Sequence, residues 1–463
     1  MKNEKLLKVL GLSLLFVIAL TWLIPGSSIG MENILERGKV EPMGLMEIFG
    51  SFEILMVYFF QNSIFILLVG ALYGVMNKTG AYKNLVDSVT SLVKGNENIL
   101  LMITTALFIL LPGITNLYFP LFVLIPLFIS LLLGVGYSKK TSLLATVGAL
   151  LIGMSCNLSS ELFRQISQTE GNVYFWIKVG YLVVAMVITV LFALKTSKVV
   201  KSTKKKSEEK KEETIIVPEK RNAENKIKVN KVPLLIVFTL MFALIILGLV
   251  SWNTSIFIDF HRNVMEASIG EFTIFANIFG PFGAFGTWSY NELYVLLIIT
   301  SIVIGLIYRL NLKEIVEGMI EGGRKFVSIA IIILLLNLFI IFTINSGFFG
   351  TIIDWIASSG NTALISLTTI IGAPLMIDQV YAAQYNMSII IQVIGDSANV
   401  DLIAFITQIT YGITMLVAPT SAALVAGLLY LEENYIDWVK HIWRLALILL
   451  LGGFIAITIA SLI

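Results

Sequence analysis

The sequence predicts an all-α polytopic membrane protein of two inverted repeats, with about nine transmembrane helices, two re-entrant hairpins and broken helices. Three observations carry that prediction. Of the 463 residues, 57% are hydrophobic and only 13% charged, against about half and about a quarter in a soluble domain. Apolar runs approaching the ~20 residues of a bilayer crossing recur along nearly the whole chain. Finally, each half holds long apolar stretches interrupted by Pro, Gly and polar residues, the sequence mark of a membrane fold built from internal repeats.

The runs Leu6–Ile24, Ile54–Met76, Val173–Leu194, Pro233–Val250, Leu293–Ile307, Phe326–Thr343 and Ile442–Ile463 read as spans. Short strands of alternating polarity are absent, which argues against an outer-membrane barrel. The basic start and apolar core of Met1–Gly26 resemble a secretory signal. The apolar stretch is too long for one and lacks a small-residue cleavage site, so it reads as an uncleaved first span. Residues 195–232 are rich in Lys and Glu and poor in apolar residues, as expected of a charged cytoplasmic linker. They divide a first membrane repeat, 1–194, from 233–463, a linking span followed by the second repeat. Hairpins are expected at 98–133 and 362–394, and broken helices at 141–160 and 401–430.

Charge supports this topology. With both hairpins entering and leaving on one side, Lys2, Lys5, Lys8, Lys78, Lys83, Lys94, Lys139, Lys140, the linker, Arg309, Lys313, Arg324, Lys325, Lys440 and Arg444 fall inside. Only Arg37, Lys39, Arg164, Lys178 and Arg262 fall outside. That bias is the positive-inside rule. It puts the N-terminus in the cytoplasm and the C-terminus outside a multi-pass cytoplasmic membrane protein. The first hairpin then opens from the cytoplasm and the second from outside, which makes the repeats inverted.

Irregular backbone inside a bilayer is tolerated only where protein or a watery cavity satisfies it, so helix breakers mark the candidate site. The first break is Pro112-Gly113-Ile114-Thr115-Asn116, where Thr115 and Asn116 would offer polar groups at membrane depth. The second is Gly153–Ser160, with Ser155, Asn157 and Ser159. The third is Gly372–Gln379, with Asp378 and Gln379. The fourth runs from Gln408 through Tyr411 and Thr414 to Pro419, Thr420 and Ser421. Half-helix ends at such breaks direct partial charges at ions and substrates. Asp378 stands out, because an ionisable group in an apolar hairpin is costly and marks function.

Other features exclude other classes. The single Cys156 forbids an internal disulfide framework. His261 and His441 are too few for a metal cluster. Gly280–Gly286 has neither the spacing nor the Lys of a phosphate loop, and no nucleophile elbow or HExxH occurs. Neither an enzyme nor an ATP-driven pump is expected, and no cofactor, metal or nucleic acid is implied.

Several segments together resemble a known family. Trp22-Leu23-Ile24-Pro25-Gly26, Gly70–Ala81, Ile315–Gly323, and above all Val417-Ala418-Pro419-Thr420-Ser421 followed by Leu428 and Tyr435-Ile436-Asp437-Trp438 resemble the YfcC-type permeases. These are relatives of the anaerobic C4-dicarboxylate carriers in the ion transporter superfamily. The resemblance implies two inverted repeats, each with a hairpin and a broken helix, and a homodimer. It also shows departures. The first hairpin lacks the usual acidic pair, Leu375, Met376, Ile377 and Asp378 replace the small residues of the second tip, and Met415 stands where the family has an Asn often tied to sodium.

The functional expectation is a secondary active transporter of a small organic solute. Some divergent members of the family are arginine/ornithine antiporters. An added acid at the hairpin tip, with no basic residue in the core, favours a cationic substrate, so basic amino-acid exchange leads. The alternative is a dicarboxylate or other organic-anion symporter driven by sodium or protons. A passive channel or membrane scaffold is the remaining class. The expected partners are the solute, a coupling ion, the lipid bilayer and a second copy of the chain.

Overall fold

The structure, a computed structural model, describes all residues except 1–3, 30–34, 45, 116, 159–173, 198–228, 253–254, 280–282, 376–378 and 396–397. Among the described residues, eight helices are long and apolar enough to cross a membrane. They are α1 (Glu4–Leu23), α2 (Phe52–Thr79, with a π-helical segment at Phe59–Ser63), α4 (Glu97–Thr115), α7 (Phe175–Thr196), α8 (Val232–Leu249), α11 (Tyr290–Ile307), α12 (Leu312–Asn345) and α18 (Tyr435–Ser461). Between them lie α3 (Ala81–Leu92), α5 (Ile125–Val135), α6 (residues 139–155), α9 (Ser255–Glu266) and α10 (Ile274–Phe279). The second half adds α13 (Phe348–Ala357), α14 (Thr362–Gly372), α15 (Gln379–Ile394), α16 (Val400–Thr414) and α17 (Ala422–Leu431). The described strands form only two small antiparallel ribbons, β1 (Ser27–Ile29) with β2 (Leu35–Arg37) and β3 (Ser268–Ile269) with β4 (Phe272–Thr273).

The helix starts follow from local chemistry. Ser289 and Asn311 each close a capping box, with Glu292 and Glu314 respectively. Asn361, Asn399, Ser421 and Asn434 cap α14, α16, α17 and α18 with their side-chain oxygens. Each gives an acceptor to amides that the first helical turn leaves unpaired.

The re-entrant first hairpin has a direct signature. Tyr137, just beyond α5, donates its hydroxyl to Asn98 Oδ1 at the start of α4, at 3.0 Å. The chain has entered on α4, turned through the 3₁₀ segment Phe119–Val123, and returned to the level at which it began. The second hairpin is α14, a turn at Ala373–Leu375, and α15, which pack on each other and on α16. The broken helices are α6, in which a π-helical stretch Leu144–Gly148 precedes the end at Ser155, and the α16–α17 pair interrupted at residues 415–421.

One element differs from the sequence reading. The span read at Phe326–Thr343 begins much earlier: α12 runs unbroken for 34 residues, through Gly322-Gly323. At ~1.5 Å per residue it spans about 50 Å, more than the ~30 Å hydrocarbon core. The reason is the packing partner. Gly318 and Gly322 of α12 meet Gly70 and Gly74 of α2, and the backbones touch. A Cβ on Gly74 would lie 2.1 Å from Gly318 O and 2.7 Å from Gly322 Cα; one on Gly322 would lie 2.1 Å from Gly70 O. Small residues at helix contacts in lipid permit this approach, so the glycines join two helices and do not end one.

Lys78 lies 3.4 Å from Glu317 and 3.1 Å from Glu321, and Tyr308 donates to Asn230 O at 2.6 Å. At the opposite helix ends Arg37 pairs bidentately with Asp354, Nε to Oδ2 at 2.7 Å and a terminal nitrogen to Oδ1 at 2.9 Å.

Candidate functional site

In the first repeat, Pro112 lies in the last turn of α4, where its ring and missing amide disturb the helix end. The carbonyls there find partners in the break after α6. Asn157 Nδ2 donates to Pro112 O at 2.6 Å, and the Leu158 amide donates to Gly113 O at 2.7 Å. The close approach needs Gly153, since a Cβ there would sit 2.3 Å from Ile109 O and 2.5 Å from Pro112 Cγ.

The second repeat repeats the device with other residues. Thr420, in the break between α16 and α17, donates to Ala373 O in the hairpin turn at 3.2 Å. Thr343 of α12 donates to Leu375 O at 3.0 Å. The break's own carbonyls are covered by α18: Trp438 Nε1 donates to Leu416 O at 2.8 Å and the Tyr435 hydroxyl to Val417 O at 2.5 Å. Pro419 stops the incoming helix, Thr420 reaches the hairpin and Ser421 caps α17. In both repeats, then, the break of a broken helix holds the tip of the hairpin through a side-chain donor.

The two assemblies meet. Gln408 Nε2 of α16 donates to Asn157 O at 2.7 Å, and Gly412 of α16 abuts Ser155, whose Cβ would be 2.4 Å from a Cβ at Gly412. Gln408 Oε1 is buried with no protein hydrogen bond. One turn along, both side-chain amide atoms of Asn386 (α15) and the Tyr411 hydroxyl (α16) are also buried without a protein hydrogen bond. Both crowd Gly372, where a Cβ would lie 2.7 Å from Tyr411 Oη and 2.8 Å from Asn386 Nδ2. Thr369 and Thr410 share a hydroxyl–hydroxyl bond between α14 and α16. A buried polar group without a partner costs free energy, and no described protein group offsets that cost for these atoms.

Among the described residues, the tips and breaks present polar and no charged side chains. Among the described residues, the only buried charged side chains are Lys178 and Asp354, and neither belongs to the tips or breaks. No group of His, Cys, Asp or Glu among the described residues could hold a metal ion.

The residues expected from sequence divide clearly. Asn157 and Thr420 bind the hairpin tips. Ser155, Thr115 and Thr414 turn their hydroxyls back to the carbonyls of Ile152, Leu111 and Thr410, at 2.7, 2.5 and 2.7 Å, and Ser421 accepts from the Leu424 amide. Asn116, Ser159 and Asp378 lie outside the described residues, and Gln379 is described only as the first residue of α15. Asn386, Thr369 and Thr410 were missed, and Gln408 and Tyr411 were noted as part of the fourth break but not as candidate ligands. A lone Asn in the apolar part of α15 was the available signal for Asn386.

The family described as C4-dicarboxylate anaerobic carrier, DcuC, matches residues 24–462. No curated protein matches the chain. Among solved structures, the chain is similar to the YdaH transporter of Alcanivorax borkumensis, with 13% identity over 97% of each chain and a TM-score of 0.41.

Proposed function

We propose that this chain, which belongs to the C4-dicarboxylate anaerobic carrier family, is a secondary active transporter whose substrate is a C4-dicarboxylate or a similar small organic anion. The family match over residues 24–462 carries the substrate class. It favours the organic-anion alternative over basic amino acids, a reading that rested on Asp378. The transport path is the junction where the hairpin tips, the two breaks and Gln408 come together.

The described residues of this site carry no charge, which suits such a substrate only if its charge is met in other ways. Amides at the starts of α15 and α17 and the side-chain donors of Asn386 and Tyr411 supply partial positive charge to a carboxylate. They do not neutralise a dianion, and desolvating one without compensation is costly. A cation moving with the substrate, either sodium or a proton, completes the balance. The positive-inside rule, applied to the ends bearing Lys78, Lys139 and Lys140, supports their facing the cytoplasm from a cytoplasmic-membrane protein.

The test is uptake into proteoliposomes. Labelled succinate should accumulate under an inward sodium or proton gradient and show counterflow with internal succinate, which a passive channel would not. Accumulation of arginine or ornithine, with no response to any dicarboxylate, would overturn the substrate assignment.

A further inference from the structure

We propose that α9 is a membrane-surface helix that lays its apolar face into the lipid boundary at the ends of α8 and α11. The helix has 12 residues, SIFIDFHRNVME, and none of its side chains is buried by the protein. Ile256, Phe257, Phe260 and Val264 share one face, at i, i+1, i+4 and i+8. Asp259, Arg262 and Glu266 share the opposite face, where Arg262 pairs with Asp259 at 3.3 Å. Ile256 is 71% and Phe260 55% exposed, which a helix in water would not favour.

The occupant follows from where the helix is pinned. The Phe257 ring lies 6.1 Å from Trp252 and 5.8 Å from Phe285, and Phe285 lies 5.6 Å from Trp288. The Trp288 ring in turn packs on Gly248 in the last turn of α8, where a Cβ would fall 2.2 Å from the indole. This aromatic chain holds α9 level with the exit of one span and the entry of the next, the level at which Trp and Tyr anchor to headgroups. α8 and α11 likewise leave apolar side chains such as Leu240 and Val295 exposed, as spans facing lipid do. An amphipathic helix so placed buries its apolar face at the acyl boundary.

Charge does not drive the contact. Asp259, Glu266 and Glu271 outnumber Arg262 across α9 and the β3–β4 ribbon, so acidic headgroups offer no attraction. Insertion should therefore be the same in neutral and acidic bilayers.

The test uses full-length protein in phosphatidylcholine vesicles, with and without phosphatidylglycerol. A nitroxide is placed at Phe260→Cys, at Ile256→Cys, or on the polar face at Arg262→Cys. The unsubstituted protein, whose Cys156 is buried, sets the background. Labels at 256 and 260 should collide several-fold more with oxygen than with a water-soluble nickel chelate, and the label at 262 should do the reverse, in both lipids. Chelate-dominated collision at 256 and 260 would overturn the proposal by placing the helix in water. Exclusion of both reagents would overturn it by showing that protein, a second copy or another partner, covers the face.

Discussion

The side-chain amide of Gln408 donates to the main-chain carbonyl oxygen of Asn157 at 2.7 Å, across 251 residues of chain. This one bond joins the broken helices of the two halves. Asn157 also holds the first hairpin tip through Pro112 O, so the bond ties both repeats to a single polar junction.

Gln408 is therefore the position where a substitution should separate transport from folding. Gln408→Leu removes the donor and leaves a buried carbonyl short of a partner, a loss of about 1–3 kcal/mol. Succinate uptake should fall about tenfold or more, while the protein still elutes as a single folded species. Gln408→Glu can donate only when protonated, so its melting temperature should lie further below that of the parent at pH 8 than at pH 5. A Gln408→Leu protein with parental uptake would remove this residue from the path.

The glycine crossing of α2 and α12 makes a second prediction. Gly74→Val would drive two backbones apart, and overpacking of this kind costs about 1–3 kcal/mol or more. Little monodisperse protein should be recovered on size-exclusion chromatography in detergent. Gly180→Ala is the control. A Cβ there meets nothing within 4 Å and α7 gains helix propensity, so its melting temperature should equal or slightly exceed that of the parent.

The Arg37–Asp354 pair fastens the β1–β2 ribbon to α13, together with the hydroxyl contact of Ser27 and Thr351 at 2.7 Å. The Asp354 side chain is 11% exposed and that of Arg37 71%. Removing Arg37 leaves a nearly buried carboxylate without its partner, which costs more than removing both. Arg37→Ala should lower the melting temperature more than Asp354→Asn does. The double variant should be milder than the sum of the two. Simple additivity in this double-mutant cycle would show that the pair is not coupled.

Glu433, in the short connection between α17 and α18, gives a pH prediction. Burial pushes its carboxyl above the ordinary value, and Lys140 and Lys139 offset this only in part. A raised folded value means that the stability Glu433 contributes is present below its unfolded value of about 4.3 and is lost as pH rises through the folded value. Glu433→Gln should therefore melt higher than the parent at pH 7–8. The difference should close as the pH falls toward about 4. An advantage that grew on acidification would reverse the assigned sign.

Sequence alone determined the kind of protein and the places where its helices fail. The apolar excess required membrane-spanning helices, because only a helix satisfies its own backbone in lipid. Pro112-Gly113, Ala373-Pro374 and Pro419 marked the interruptions because proline and glycine act on the backbone locally. What each polar residue does at an interruption was decided by the tertiary structure. Ser, Thr and Asn can bond to their own helix or reach another, and the sequence carries both options equally. Thr115 and Thr414 turned inward, while Asn157 and Thr420 reached the hairpin tips. The meeting of Gln408 with Asn157, and of Asn386 and Tyr411 over Gly372, depends on helices brought together from distant parts of the chain. Gly322-Gly323 shows the same limit. In isolation it reads as a helix end, and only the facing Gly70 and Gly74 make it the closest contact between two continuous helices.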